Sequence, residues 1–408
     1  MKGPLNKVVG NWVDKSNRDP IYVGNLDPEL RTVEEYGNPQ DAYQCIRVAG
    51  TNGKGSTTRM IAWTLQNAGY SVGIMSNISC TKKLTDTISI DGEDIEVDVL
   101  RDICEEVDSI AHPEIEPYGI RTVAALEWFR RNNADVVVLE SGVGSKYDAT
   151  NIVGDDVYVV TNIGEDHAES FKHSIPEDFS SASEKSEVFL TGASDGSIEL
   201  MSEHTDSKIR EVDETFELYD REDYTYDCRG INKSFQTNLT LGYQEENINT
   251  SWSALKHSSL RFELQDFIEM LSGFRFEGRG ELVRGQPNIL LDGAHNIDGI
   301  ESVSETLGTE DSQIVSVFTA LSDKRWRKMF EMVDEFSELV VTTNPQGNSR
   351  TENIDSIKSK SDLHVEKPLR AVEAARDNCP DNGLVIITGS LYMIREIRGE
   401  LIDRYESC

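Results

Sequence analysis

The first strong apolar run, YQCIRVAG at 43–50, is β-branched, and it leads into GTNGKGS, whose glycines exclude regular structure. STTRMIAWTLQNAGY follows with apolar residues at helical spacing up to a glycine, and YSVGIM resumes a buried strand. Two further runs of strand length, VVVLE at 136–140 and VYVVTNIG at 157–164, come after a helical stretch, TVAALEWFRRN at 122–132. Strands alternating with helices predict a mainly parallel sheet covered on both faces. Between about 193 and 227 the chain turns acidic and loses its long apolar runs, which predicts short edge strands or an exposed excursion.

A second change comes at GFRFEGRGELVRG, 273–285, rich in glycine and arginine, between the helical DFIEMLSG and a new strand, NILLDGAHN. Beyond it IVSVFTAL, LVVTTNP and LVIITGS are buried-strand runs interleaved with helical segments. The expected fold class is therefore α/β: a larger domain on a mainly parallel sheet, residues 1–275, followed by a smaller Rossmann-like α/β domain, residues 276–408.

Length agrees with this, since 408 residues exceed what one hydrophobic core supports. Charge narrows the partners. With 73 acidic against 40 basic residues the net charge is -33, and the acid is spread along the chain. Such a surface repels nucleic-acid phosphates and anionic lipid, so neither nucleic acid nor membrane is an expected partner. Cys45, Cys80, Cys104, Cys228, Cys379 and Cys408 form no CxxC pair, and MKGPLNKVVGNWVDKS carries no apolar signal region. No window approaches the roughly 18 to 20 apolar residues that span a bilayer. The expectation is a cytoplasmic protein with reduced thiols.

The chemistry starts at Gly50-Thr51-Asn52-Gly53-Lys54-Gly55-Ser56-Thr57, between the predicted strand and helix. Glycines let backbone N–H groups turn toward phosphate oxygens, the helix start adds positive potential, Lys54 adds a point charge, and the Ser56 or Thr57 hydroxyl suits magnesium. The spacing departs from the strict P-loop, because Gly55 separates Lys54 from Ser56.

VAGTNGKGST closely resembles the P-loop of the Mur ligase family, and of its folylpolyglutamate and dihydrofolate synthases in particular, and the resemblance recurs along nearly the whole chain. LESGVGSKYDATN at 139–151 is similar to E-x-G-x-G-G-x-x-D-A-T-N, which implies Glu140 as a magnesium ligand; TNIGEDHAESF at 161–171 resembles G-x-D-H, which implies His167 as ligand of a second magnesium. SASEKSEVF at 181–189 resembles E-K-A-G-I, so Lys185 matches the lysine carried as a carbamate. GYQEENINTSWSAL at 242–255 resembles G-H-Q-x-x-N-A with Tyr243 in place of the histidine, implying Asn247 on adenine. GRGELV at 278–283 and LDGAHNIDG at 291–299 imply Arg279 on phosphate, Asp292 on ribose and His295 near the nucleotide. SVFTALSDKRW, TTNPQGNSR and ITGSLYMIREIR continue the ordered matches.

The departures fall on the substrate side. MSNISCTKK stands where the folate enzymes read T-S-P-H-L, leaving Ser76 as the implied magnesium-ligating serine; their F-E is Tyr118-Gly119 here, and LTDTIS replaces the basic D-F-R-E-R-I. The resemblance implies two domains closing on ATP, with Lys54, His167 and Lys185 as catalytic residues, two magnesium ions, and potassium as a further candidate cation. A substrate carboxylate attacks the γ-phosphorus, and the amine of an amino acid such as glutamate then attacks the acyl phosphate. The expected partners are ATP, glutamate and a folate or other carboxylate acceptor, with the chain a monomer. A Mur-type ligase on a different acidic acceptor and a P-loop ATP-binding protein without ligase activity stand as the alternatives.

The acidic excess itself fits work in high salt, where screening relieves self-repulsion. Activity and thermal midpoint are expected to rise between low salt and molar potassium chloride; a midpoint indifferent to salt removes that reading.

Overall fold

The computed structural model describes residues 25–77, 84–142, 147–164, 179–180, 186–193, 195–220, 225–228, 233–237, 239, 241–307, 313–322, 324–344 and 363–405. Two compact units make up the chain: Met1–Thr215 with Asn247–Met270, and Phe216–Glu246 with Leu271–Cys408. The expected division at 275/276 differs from these units in two respects. Their last crossing falls at Met270/Leu271, and the mid-chain stretch Phe216–Glu246 groups with the C-terminal residues. Packing explains the second point, because Leu241 and Tyr243 join the core cluster of Ile300, Phe318 and Trp326.

In the first unit the apolar runs become β1 (Gln44–Ala49), β2 (Val72–Met75), β5 (Val136–Glu140) and β6 (Asp155–Val160), joined by β3 (Ile88–Ile90), β4 (Glu93–Asp94), β7 (Ser186–Thr191) and β8 (Ile209–Glu211). Their order is β4-β3-β2-β5-β1-β6-β7-β8. From β2 to β8 every neighbouring pair is parallel, whereas β3 and β4 add an antiparallel edge. That edge lacks the continuous apolar run of a doubly covered strand and so left no mark in the hydrophobic pattern. Strand β6 stops at Val160, four residues before the apolar stretch 157–164 ends, because the Thr161 hydroxyl turns to backbone carbonyls of the neighbouring loop. Part of the acidic 193–227 segment forms the helix Asp195–Ser202 and the edge strand β8.

One face of this sheet is covered by the helices Asp27–Glu35, Val97–Ile110 and Pro117–Arg131, which bring Val33, Ile103, Val123 and Phe129 onto Met75, Val137 and Leu139. Another cluster joins Ala49, Tyr158, Val160, Phe189 and Met201.

The second unit holds β9 (Phe216–Asp220), β10 (Thr225–Cys228) and β11 (Lys233–Gln236) in an antiparallel sheet. Its larger sheet contains β12 (Arg279–Val283), β13 (Asn288–Asp292), β14 (Ile314–Phe318), β15 (Leu339–Thr342), β16 (Leu363–His364) and β17 (Leu384–Thr388). These run in the order β12-β13-β17-β14-β15-β16, parallel apart from β12. No described helix is long and apolar enough to cross a membrane.

Two buried charges deserve an energetic account. Arg47, in the middle of β1, has no exposed side chain; its Nε donates to Asp155 Oδ2 at 2.8 Å and its Nη1 to Asn151 Oδ1 at 2.7 Å, while its guanidinium lies 4.3 Å from the Tyr158 ring centroid. The Ser186 hydroxyl completes the set by donating to Asp155 Oδ1 at 2.7 Å. Paired charges of this kind are tolerated inside, whereas one left alone is not. Replacing Arg47→Met is expected to lower stability by about 3 to 5 kcal/mol; an unchanged denaturant midpoint removes the pair from the account.

Glu29 is the opposite case. Its buried Oε2 has no hydrogen-bond partner among the described residues, and burial, reinforced by the charges of Glu116 and Asp148, pushes its carboxyl up from 4.5 to about 7. The folded chain therefore holds a proton that the unfolded chain has released, so stability falls as pH rises from about 4.5 through about 7. Glu29→Gln is expected to lose that component, and the gap between the thermal midpoints of variant and parent should widen from pH 5 to pH 8. Parallel pH profiles contradict it.

Candidate functional site

The glycine-rich segment forms the loop between β1 and the helix Lys54–Asn67. Gly53, the residue before that helix, has φ +83°, in the left-handed region, and a Cβ there would lie 2.3 Å from Asn247 Oδ1. Only glycine lets the buried Asn247 amide approach the loop this closely. The Lys54 ammonium curls over the same loop, donating to the carbonyls of Gly50 at 2.7 Å and Thr51 at 3.1 Å. Gly55 and Ser56 follow in the first helical turn, where N–H groups lack intrahelical acceptors and the helix potential is positive. Thr57 donates its N–H to the Gly53 carbonyl at 2.9 Å, and its buried Oγ1 has no hydrogen-bond partner among the described residues.

Strand register brings the implied metal ligands beside this loop. Val48 of β1 pairs with Glu140 of β5, and Met75 of β2 pairs with Leu139, so Ser76 and Glu140 leave adjacent strands at the same carboxyl edge as Gly50. Both side chains are buried. Glu140 Oε2 accepts the N–H of Asn77 at 3.0 Å, and the Asn77 side chain donates to the Ser141 carbonyl at 2.9 Å. Ser76 and Glu140 at this edge offer oxygen donors, as does the Thr57 hydroxyl left unpaired among the described residues, and such donors suit a hard cation such as magnesium. Among the described residues no three His, Cys, Asp or Glu groups cluster as a metal site; His167 and Lys185 lie outside the described residues.

The next turn is built around Asp148, whose Oδ1 accepts from the Thr150 N–H at 2.9 Å and the Thr150 hydroxyl at 2.7 Å. Thr150 also shares a hydrogen bond with Ser141 at 2.8 Å, and Asn151 is held by Arg47. Tyr118 and Gly119, the substrate-side departure, begin the helix Pro117–Arg131. A Cβ at Gly119 would lie 2.7 Å from Glu29 Oε1, so the carboxyl missing at 119 is matched by one arriving from another helix. Nothing in the sequence near Glu29 announced this.

In the second unit Asp292, at the end of β13, is a hub. Its Oδ2 accepts the Tyr243 hydroxyl at 2.6 Å and the Gly280 N–H at 2.9 Å, and its Oδ1 accepts the Ala294 N–H at 3.0 Å. Burial pushes the Asp292 carboxyl up, opposed by those donors and by Arg279, and burial together with the Asp292 charge pushes the Tyr243 phenol well above its usual range. Arg279 and His295 meet at one acceptor, the Gly293 carbonyl, at 3.3 Å from Nη1 and 2.9 Å from Nδ1. The three second-unit residues singled out in the sequence are thus gathered at one place. The role of Tyr243 as the partner of Asp292 was not legible, since only its departure from histidine was.

Residues 48–265 match the Mur ligase middle domain and residues 278–391 the Mur ligase glutamate ligase domain. The dihydrofolate synthase/folylpolyglutamate synthase of Bacillus subtilis is 26% identical over 399 residues, covering 90% of this chain and 92% of its own. A probable bifunctional folylpolyglutamate synthase/dihydropteroate synthase of Halobacterium salinarum is 27% identical over 394 residues, 89% of this chain and 48% of its own. In fold, the chain resembles the Yersinia pestis bifunctional folylpolyglutamate synthase/dihydrofolate synthase crystallised with AMPPNP and manganese, with TM-score 0.84, 21% identity and 98% of each chain covered. With one family model spanning more than half its length and a second following in order, the chain belongs to the Mur ligase family.

Proposed function

We propose that this chain is an ATP-dependent, ADP-forming ligase that adds L-glutamate to a folate through an acyl phosphate. The observation that carries the reaction type is the carboxyl edge of the first unit, where a glycine loop with Lys54 adjoins Ser76 and Glu140. The acceptor is argued from relatives named as dihydrofolate and folylpolyglutamate synthases that match about nine-tenths of this chain.

In this reading Gly53, Lys54, Gly55, Ser56 and Thr57 take the triphosphate, with Asn52 in the same loop. Ser76, Glu140 and His167 hold the metal, and Lys185 serves as a carbamate. Asn247, Arg279, Asp292 and His295 are nucleotide contacts, and potassium is a further cation. Bound magnesium neutralises charge on the triphosphate and the transferring phosphoryl group. The chain's own work is positioning. Its loop amides and the Lys54 ammonium fix the phosphates while an acceptor carboxylate oxygen attacks the γ-phosphorus and ADP leaves. The glutamate nitrogen then attacks the acyl carbon, phosphate departs, and the amine proton passes to solvent. Exclusion of water protects the acyl phosphate. The protein acts as a cytoplasmic monomer in this account.

Glu29 beside Gly119 favours a second reading, a Mur-type ligase with a different acidic acceptor, because it alters the substrate side and not the phosphate loop.

The deciding experiment measures ADP release with MgATP and glutamate, adding dihydropteroate or tetrahydrofolate in turn, at low and high salt. Pteroate-dependent release with a glutamylated product is the expected result. Confirmed ATP binding with neither acceptor active shifts the case to another acid, and turnover without any amide ends the ligase reading. Lys54→Met is expected to reduce turnover by about a hundredfold or more; near-parental turnover contradicts its role.

A further inference from the structure

The phosphate loop does not hold its shape alone. Strand β6 ends at Val160, paired with Ala49 at the end of β1, so the residues after each strand leave the sheet side by side. The segment 161–164 then runs along the loop and occupies its leading polar groups one by one. Thr51 N–H donates to the Asn162 carbonyl at 3.1 Å, and Asn52 N–H donates to Asn162 Oδ1 at 2.9 Å. The Thr161 hydroxyl sits against the carbonyls of Asn52 and Ala49, and Gly164 N–H donates to the Thr51 hydroxyl at 2.8 Å. Contact is close enough to dictate Gly50, where φ is +122° and a Cβ would fall 2.2 Å from Thr161 Oγ1.

Backbone accounting gives this a consequence. A loop N–H bonded within the protein is withdrawn from the ligand, and one held in fixed geometry cannot swing to compete for it. Thr51 and Asn52 are withdrawn in this way, whereas Gly55 and Ser56 stand in the first helical turn with its positive potential. Resting on the nucleotide reading above, we propose that Thr161 and Asn162 are positioning residues of the phosphate loop: they pin its first half through Thr51 and Asn52, so that the amides at the helix start are presented to the triphosphate. Asn52 on this account belongs to the frame of the loop and not to its ligand contacts.

The test uses the full chain and compares MgATP with AMP, which has the same adenosine but no β- or γ-phosphate, by displacement of a fluorescent ATP analogue. Asn162→Ala and Thr161→Val are expected to weaken MgATP by about tenfold, the worth of one lost hydrogen bond, while AMP changes by less than about twofold. Thr161→Ser, which keeps the hydroxyl, restores MgATP binding. Thermal midpoints identify a variant that does not fold; if Thr161→Val is one, Asn162→Ala, which removes the side-chain acceptor of the Asn52 N–H together with the rest of the carboxamide, carries the test. MgATP affinity unchanged in both variants, or lost equally for MgATP and AMP, overturns the proposal while leaving the ligase reading intact. A parent chain that binds no MgATP overturns both.

Discussion

A guanidinium enclosed in a parallel sheet cannot remain unpaired, and the pairing of Arg47 sets much of what surrounds it. Arg47 projects from β1 and Asp155 begins β6, while Asn151 closes the turn before β6, so one cation fastens three pieces of chain in register. That register places Ala49 beside Val160, and the parallel pairing of β1 with β5 places Val48 beside Glu140. The glycine loop, the segment hydrogen-bonded to it and Glu140 all leave the sheet from those positions. Hydrophobic burial drives the strands together but does not by itself choose their alignment; the ion pair penalises slippage, because a shifted strand would strand a charge.

The second unit repeats the principle with a single carboxylate. Asp292 is buried, and three donors from different parts of the chain, Tyr243, Gly280 and Ala294, satisfy it. Close by, Glu281 accepts the Gly278 N–H at 2.8 Å and is itself gripped by Arg398, which fixes the glycine-rich turn before β12. A phenol where a histidine is the pattern of the family keeps a donor at that place while removing a group that titrates near neutrality.

Glu29 does something different from either. Its Oε2 has no hydrogen-bond partner among the described residues, it lies beside the helix start at Tyr118-Gly119, and its proton uptake near neutrality follows from burial and from Glu116 and Asp148 nearby. Buried polar atoms left unsatisfied cost stability, and they persist where the site has a use for them. The lability lies beside Tyr118-Gly119, where the chain departs from the family pattern, whereas in the glycine loop the Thr51 and Asn52 N–H groups are both satisfied.

What the sequence determined by itself was the set of central strands, the glycine loop with its lysine, and the ordered string of motifs. Strand VVVLE was read at its exact bounds because a strand covered on both faces must be continuously apolar. The loop was legible because its glycines, lysine and hydroxyls do their work within eight consecutive residues. Tertiary structure alone decided the antiparallel edge of the first sheet, the grouping of Phe216–Glu246 with the C-terminal unit, and the partnerships of Thr161 with the loop, Tyr243 with Asp292 and Glu29 with Gly119. Each of these joins residues far apart in the chain, and periodicity carries information only about neighbours within a few turns of the backbone.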